Sequence, residues 1–429
     1  MPNVKIAMIG AGSMTFSRGL IADVVQCEAL QGATLALYDI DFPRAELMAA
    51  VGRRYAEFAG ADVTLEAVPG RRAALEGASF VTCTIAVGGL DAWMADMRIP
   101  QEHGITQSVG DSVGPGGISR ALRHVPVVVE VARDMASLCP DAWLLNYSNP
   151  MSCLCIAVRR ESSINAVGLC HGLFGTLSRL AEVLEVHREE LRAEAAGINH
   201  LTWITTLQRD GQDVYPALRE RLQAEERPMQ PVSAKLYALY GLYPSPGDRH
   251  VAEFFPHFLS GAADSGRKWG LEPVDLADRV ERRGDLADQL HAIATGDQPV
   301  EALPKSGERA VDIMAAMLQD RNELHVVNVP NRGAVAGLPD DAIVEVSGLV
   351  GAAGIRTVQM PPLPRGILAV LSAWIDRQEL TTEAALTGDR RLALQAMMAD
   401  PLVPSVEAAE ATLDGLLAAH SPHLPEMWL

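Results

Sequence analysis

The chain has 429 residues, 48% hydrophobic and 21% charged, a globular balance that excludes an intrinsically disordered polymer. At one unit per ~150 residues, this length accommodates two or three domains. A formal net charge of −18, from 54 acidic against 36 basic residues, excludes the clustered basic surface that a nucleic-acid partner needs.

Uncharged stretches such as residues 80–90 fall short of the ~18 apolar residues of a membrane span, so no membrane partner is expected. The start, MPNVKIAMIGAGS, carries one lysine and runs into glycines, which does not read as a secretory signal. Six cysteines stand at 27, 83, 139, 153, 155 and 170 without a CxxC pair. They read as thiols in a reducing, cytoplasmic compartment.

In chain order, residues 4–9 form a β-prone run that leads directly into Gly10-Ala11-Gly12-Ser13. A helix is expected over 14–30, opening at Met14, and a second strand over 33–38 that ends in Asp39. Strand, glycine turn, helix and strand make a βαβ unit. Further helices are expected at 44–59 and 125–135, and strands at 80–87, 142–145 and 166–170. This alternation predicts an α/β protein with a doubly wound parallel sheet. Beyond residue 195 the pattern changes to a strand-like run at 196–207, a loose Pro/Gln/Glu segment at 223–232, and helices from 233. Strand signals return at 342–350, before helices to the C-terminus. The expected organisation is a dinucleotide-binding part, 1–195, and an α+β substrate and oligomerisation part, 196–429.

Four groups of residues carry candidate chemistry. Gly10 and Gly12, with Ser13 and Met14 opening a helix, suit a dinucleotide pyrophosphate, because unpaired N–H groups there favour negative charge. Asp39, or Asp41 in its place, suits the adenosine ribose hydroxyls and favours NAD over NADP. The third glycine of the usual fingerprint falls at Thr15, so the match is partial. Asn146 and Asn149, flanking a strand end, either satisfy loop backbone groups or bond cofactor and sugar hydroxyls. Cys170 and His200 sit at element ends thirty residues apart. They are either a buried thiol and a core histidine, or two ligands of a divalent metal. The fourth group follows two prolines: Tyr240, Asp248, Arg249, His250, Glu253 and His257. His250, Glu253 and His257 share a face if helical and then form a metal site. Asp248 is alternatively an N-cap with its neighbours solvated, and the segment is alternatively a catalytic loop supplying an acid or base and an arginine.

The segments IGAGS (9–13), GDSVGPGG (110–117), NYSNPM (146–151), GLCHG (168–172), GINHLTW (197–203), EFFP (253–256) and VNVPNRG (327–333) together resemble glycoside hydrolase family 4. This family comprises NAD- and metal-dependent glycosidases. The resemblance implies a lactate/malate dehydrogenase-like N-terminal sheet, a homodimer or homotetramer, and a mechanism outside the usual two-carboxylate scheme. NAD would oxidise the sugar C3 hydroxyl, Mn²⁺ (or Co²⁺ or Ni²⁺) would assist loss of the C2 proton, and the aglycone would leave C1. Water addition and re-reduction would then complete hydrolysis without net redox. Residue by residue, it implies Cys170 and His200 as metal ligands. Gly10, Gly12, Ser13, Met14, Asp39 and Asn146 would serve the cofactor, and Asn149 the sugar. His171 replaces an aspartate of the phosphosugar branch and becomes the candidate for assisting the leaving group. Gly241 departs from that branch's tyrosine pair, so the base is sought among Tyr240, Asp248 and His250. Arg249 matches a uronate carboxylate. The expected substrates are α-glucuronides or α-galacturonides, ahead of neutral α-hexosides. A net NAD-dependent dehydrogenase and a non-catalytic NAD sensor are the competing readings.

Overall fold

The computed structural model describes residues 4–225, 228–259, 266–271, 276–304 and 306–428, without the side chains of 276–278. Its strands are β1 (Lys5–Ile9), β2 (Ala33–Tyr38), β3 (Val63–Ala67), β4 (Phe80–Cys83), β5 (Trp143–Asn146), β6 (Asn165–Gly168), β7 (Leu191–Ile198), β8 (Leu201–Arg209), β9 (Gln212–Asp213), β10 (Tyr243–Ser245), β11 (Glu323–Pro330), β12 (Ile343–Gly351) and β13 (Gly354–Thr357). They join into one sheet of order β10-β8-β7-β12-β11-β6-β5-β4-β1-β2-β3, with β13 beside β12 and β9 beside β8. The run β3-β2-β1-β4-β5-β6 is parallel throughout. It has the 3-2-1-4-5-6 order of a dinucleotide sheet.

Burial explains why the central strands β1, β2 and β4 are almost wholly apolar. Ile6 and Met8 of β1 enter one core while Ala7 and Ile9 enter the core on the opposite face. Leu35 and Leu37 of β2 likewise oppose Ala36. Helices cover both faces, so no strand position is left for a polar stripe. The first core continues into Trp203, Phe255 and Trp374, far along the chain. The expected boundary at 195 falls inside β7, and the sheet runs unbroken across it.

Several expected elements are shorter or divided. The first helix stops at Gln26 and a 3₁₀ turn covers Glu28–Leu30. The strand expected to reach 87 ends at Cys83, since Thr84 is drawn off to donate to the Gly10 carbonyl. The run 196–207 is two antiparallel strands that reverse at Asn199–His200. The loose segment 223–232 is flanked by helices ending at Ala224 and starting at Pro231, and its residues 226–227 lie outside the described residues. The helix that would align His250, Glu253 and His257 ends at Val251. No helix among the described residues is long and apolar enough to cross a membrane.

Candidate active site

At the carboxyl end of β1, Gly10 adopts φ +86°, and its N–H and that of Ala11 both donate to the Tyr38 carbonyl. A Cβ on Gly10 would sit 2.9 Å from the Ile85 nitrogen, and one on Gly12 only 2.8 Å from an Asp39 oxygen. The two glycines therefore let three strand ends close on one another. Asp39 accepts the Gly12 N–H at 2.8 Å and the Asp41 N–H at 2.9 Å, which pins its carboxylate beside the turn. Ser13 occupies the N-cap position and buried Met14 begins the helix Met14–Gln26. This open helix end beside a fixed carboxylate has the chemistry of a dinucleotide cradle.

The second assembly is a carboxylate between two imidazoles. Asp111, His200 and His250 offer ligand atoms within 4.8 Å of one another, the one such metal-type group among the described residues. His200 Nδ1 lies 2.9 Å from the Ser112 hydroxyl and 3.7 Å from Asp111, and His250 Nδ1 is 3.9 Å from the same Asp111 oxygen. The His200 and His250 rings stand 4.0 Å apart. Burial pushes His200 down to about 3, with His250 adding to it, so the imidazole is neutral and its lone pair is free for a cation. Burial also lowers His250. For Asp111 burial acts upward, while the Arg120 charge, the Ser112 hydroxyl and any proton on His200 or His250 act downward, and the balance lies below the ordinary carboxylate value. A carboxylate and neutral imidazoles form a donor set suited to a divalent transition metal.

The loop that presents Asp111 is held from below. Glu253 is buried, and one of its oxygens accepts the N–H groups of Ser108, Val109 and Gly110 at 2.8, 2.8 and 2.9 Å. Burial raises this carboxyl to about 8 despite those bonds. Arg249 bonds the Ser108 carbonyl at 2.9 Å, which ties the segment carrying His250 to the same loop. On the other side, buried Glu345 accepts the amides of Asn199 (3.0 Å) and Asn328 (2.9 Å), anchoring the tight turn that delivers His200 at φ +64°.

The expected residues distribute unevenly around this centre. Cys170 follows β6 and lies outside the three-residue metal group. Its sulfur takes the Gly172 N–H at 3.4 Å and a hydrogen bond from Asn199, the neighbour of His200. Burial and the charges of Glu345 and Glu308 push the thiol well up, so it stays protonated until a cation offsets them. Asn149 donates to Asp111 at 3.1 Å, and its carbonyl oxygen is buried without a partner. Such an orphaned acceptor suits a substrate hydroxyl. Asn146, by contrast, engages both ends of its amide with the backbone of Ser148 and so supports the loop. His171 is exposed and paired with Glu308 at 3.0 Å, which raises the imidazole.

Two candidate bases make other contacts. Asp248 neither caps its own helix nor faces the centre: Gly247 is the N-cap, and Asp248 accepts Val232 N–H, Ser233 N–H and the Ser233 hydroxyl at 2.6–2.8 Å. It caps the neighbouring helix Pro231–Tyr240 instead. Tyr240 packs its ring against Trp203 and Phe255 at 5.2 and 5.9 Å. Glu253 supports the loop, and His257 is exposed, so their expected metal set with His250 does not form. Asp111 was the residue most easily overlooked, since its glycine-rich surroundings read as turn chemistry. The usable signal was a lone carboxylate between glycines at a sheet's carboxyl edge.

A dinucleotide-type sheet bearing a metal-type carboxylate–imidazole cluster at its carboxyl edge defines a cofactor-and-metal enzyme class. The profile of family 4 glycosyl hydrolase matches residues 5–186, and that of the family's C-terminal domain matches 195–403. An α-galacturonidase of Bacillus subtilis (strain 168) is 35% identical over 94% of this chain and 94% of its own. An α-galactosidase of the same organism is 32% identical over 98% and 99%. The chain belongs to glycosyl hydrolase family 4 and is a glycoside hydrolase. A 6-phospho-α-glucosidase from gut microorganisms, solved with NAD and Mn²⁺, shares the fold at TM-score 0.86, with 19% identity over 99% of both chains. Malate dehydrogenase of Cryptosporidium parvum shares it more distantly, at TM-score 0.55 and 12% identity over 90% and 99%.

Proposed function

We propose that the protein hydrolyses α-glycosides of uronic acids, α-galacturonides or α-glucuronides, with NAD and a divalent cation bound. The observation that carries this reading is the convergence of Asp111, His200 and His250, beside Cys170 and Asn149, next to the glycine cradle. Gly10, Gly12, Ser13, Met14 and Asp39 would hold NAD, and the carboxylate, imidazoles and Cys170 would hold Mn²⁺, Co²⁺ or Ni²⁺. When bound, the dinucleotide supplies reversible hydride exchange at the sugar and the cation supplies Lewis acidity.

The chain's own groups do the rest. Asn149 fixes a sugar hydroxyl through its unpartnered oxygen while its N–H₂ is locked on Asp111. His171, steadied by Glu308, holds a proton for the departing glycosidic oxygen. His250, lowered by burial, stands neutral at the centre, and its lone pair serves the cation. Arg249 uses one N–H₂ arm on Ser108 and keeps the other donors for a carboxylate. The α-galacturonidase relative supports a uronate, and the α-galactosidase relative supports the second reading, a neutral hexoside. A cytoplasmic homodimer or homotetramer completes the proposal.

A panel of aryl α- and β-glycosides and glycosiduronates, assayed with NAD⁺, Mn²⁺ and thiol, tests it. Cleavage of an α-uronide that vanishes on stripping NAD or metal is expected, with C2 deuterium exchange in D₂O. Stoichiometric NADH release would favour a dehydrogenase, and inactivity on every glycoside would favour a sensor.

A further inference from the structure

At the opposite edge of the sheet, β11 meets β6 only where Asn328 pairs with Gly168, and then diverges. The wedge between them is a cleft of about 450 Å³, a size ordinary for small-molecule sites. Trp143, Cys155 and Ile343 line its interior, and Arg159, Arg332 and Arg356 stand around it as exposed residues. We propose that this cleft binds a small multivalent oxyanion, gripped by the arginines beside the Trp143 wall.

Three observations support it. First, in a chain of net charge −18, the guanidinium groups of Arg332 and Arg356 have no partner among the described residues. Arg159 spends one Nη on Asp341, at 3.3 Å from its carbonyl and 3.5 Å from its carboxylate, leaving Nε and the other Nη for a planar anion. Second, Arg332 is held at φ +46°, a left-handed region that non-glycine residues rarely adopt. Its turn is locked by the preceding Asn331, whose amide donates to the Val335 and Leu338 carbonyls and accepts the Val335 N–H at 2.7 Å. The strained backbone thus delivers an arginine to the cleft where glycine would be easier. Third, a Cβ on Gly354 would come 2.6 Å from the Trp143 ring, so β13 lies flat on it and fixes the ring as a wall.

This site is separate from the catalytic edge. Trp143 and Asn165 begin β5 and β6, whereas Asn146 and Gly168 end them, three residue steps or about 10 Å away. The helix Met151–Glu161 starts beside Asn149 and carries Cys155 and Arg159 to the cleft, so one rigid element touches both sites.

Calorimetric titration of the full chain with pyrophosphate and with citrate, at matched ionic strength, tests the proposal without reference to glycosidase activity. One equivalent of at least one anion is expected to bind. Pyrophosphate alone would mark a phosphate ligand and citrate alone a carboxylate ligand. Arg332→Gln/Arg356→Gln is expected to weaken binding tenfold or more, with NAD affinity unchanged. Arg356→Gln alone, on an exposed edge strand, is expected to weaken it at least threefold and covers the case of a poorly folding double variant. Absence of binding to the wild type, or variant affinities within twofold of it, would overturn the proposal. So would a wild-type oligomer that the double variant dissociates, since a second copy would then cover the cleft.

Discussion

Replacing Gly12 by alanine tests the cradle where its geometry is tightest. The new Cβ would lie 2.8 Å from Asp39 Oδ2, 2.9 Å from its Cγ and 3.0 Å from Arg44 Cβ, all inside van der Waals contact. The Asp39 side chain must swing away and lose the Gly12 N–H bond of 2.8 Å. A hydrogen bond to a charged group contributes about 1.5–3 kcal/mol, and Asp39 is only partly buried, so about 2 kcal/mol is expected here. The displaced carboxylate then also loses its bond to the ribose, and one charged hydrogen bond of about 2 kcal/mol lost from the complex weakens NAD binding roughly thirtyfold at 1.4 kcal/mol per tenfold. Titration calorimetry with NAD⁺ measures this, beside Gly70→Ala, where nothing lies within 4 Å of the new Cβ. A Gly12→Ala affinity within threefold of wild type would refute both the cradle and the role of Asp39.

Asp111→Asn keeps the shape but removes the charge between two imidazoles, so Mn²⁺ affinity is expected to fall tenfold or more by calorimetry, with NAD affinity unchanged; equal Mn²⁺ affinity would remove Asp111 from the metal set. Asp248→Ala strips three hydrogen bonds from the start of the helix Pro231–Tyr240 and is expected to cost about 2–4 kcal/mol in urea unfolding, while Asp248→Asn retains kcat; loss of kcat in a stable Asp248→Asn enzyme would restore it as a base. Glu253 titrates at about 8 when folded against an ordinary 4.5, so the unfolded state ionises first and stability falls as pH rises between those values, by up to about 1.4 kcal/mol per unit. Glu253→Gln is expected to flatten that slope in urea unfolding from pH 5 to 9, and an unchanged slope would place the titration elsewhere.

The first βαβ unit is legible in the sequence because its signals are local: a wholly apolar strand, a glycine turn, and β2 ending at Tyr38 before Asp39. The edge strand β3 is harder to read, since Val63–Ala67 buries only Leu65. The turn at Asn199–His200 is hidden inside a β-prone run, where Gly197, whose Cβ would lie 2.3 Å from the Leu201 carbonyl oxygen, is the one local mark of the reversal. Cys170 and His200 stand out as chemical residue types, but Asp111 reaches its partners only because Glu253, 142 positions later, gathers three N–H groups of its loop.

The acidic, thiol-rich composition, the alternation of strand and helix, and the residue types able to hold NAD, metal and sugar belong to the sequence, because each is a property of a residue or its near neighbours. Which of these residues meet is decided by long-range burial. The sheet order brings β1, β4, β5 and β6 together, the hairpin turn inserts His200, and buried Glu345 and Glu253 fix the loops around it. The same packing engages Asp248 with the start of the helix Pro231–Tyr240 and Asn146 with Ser148, contacts that neither residue's place in the sequence announces.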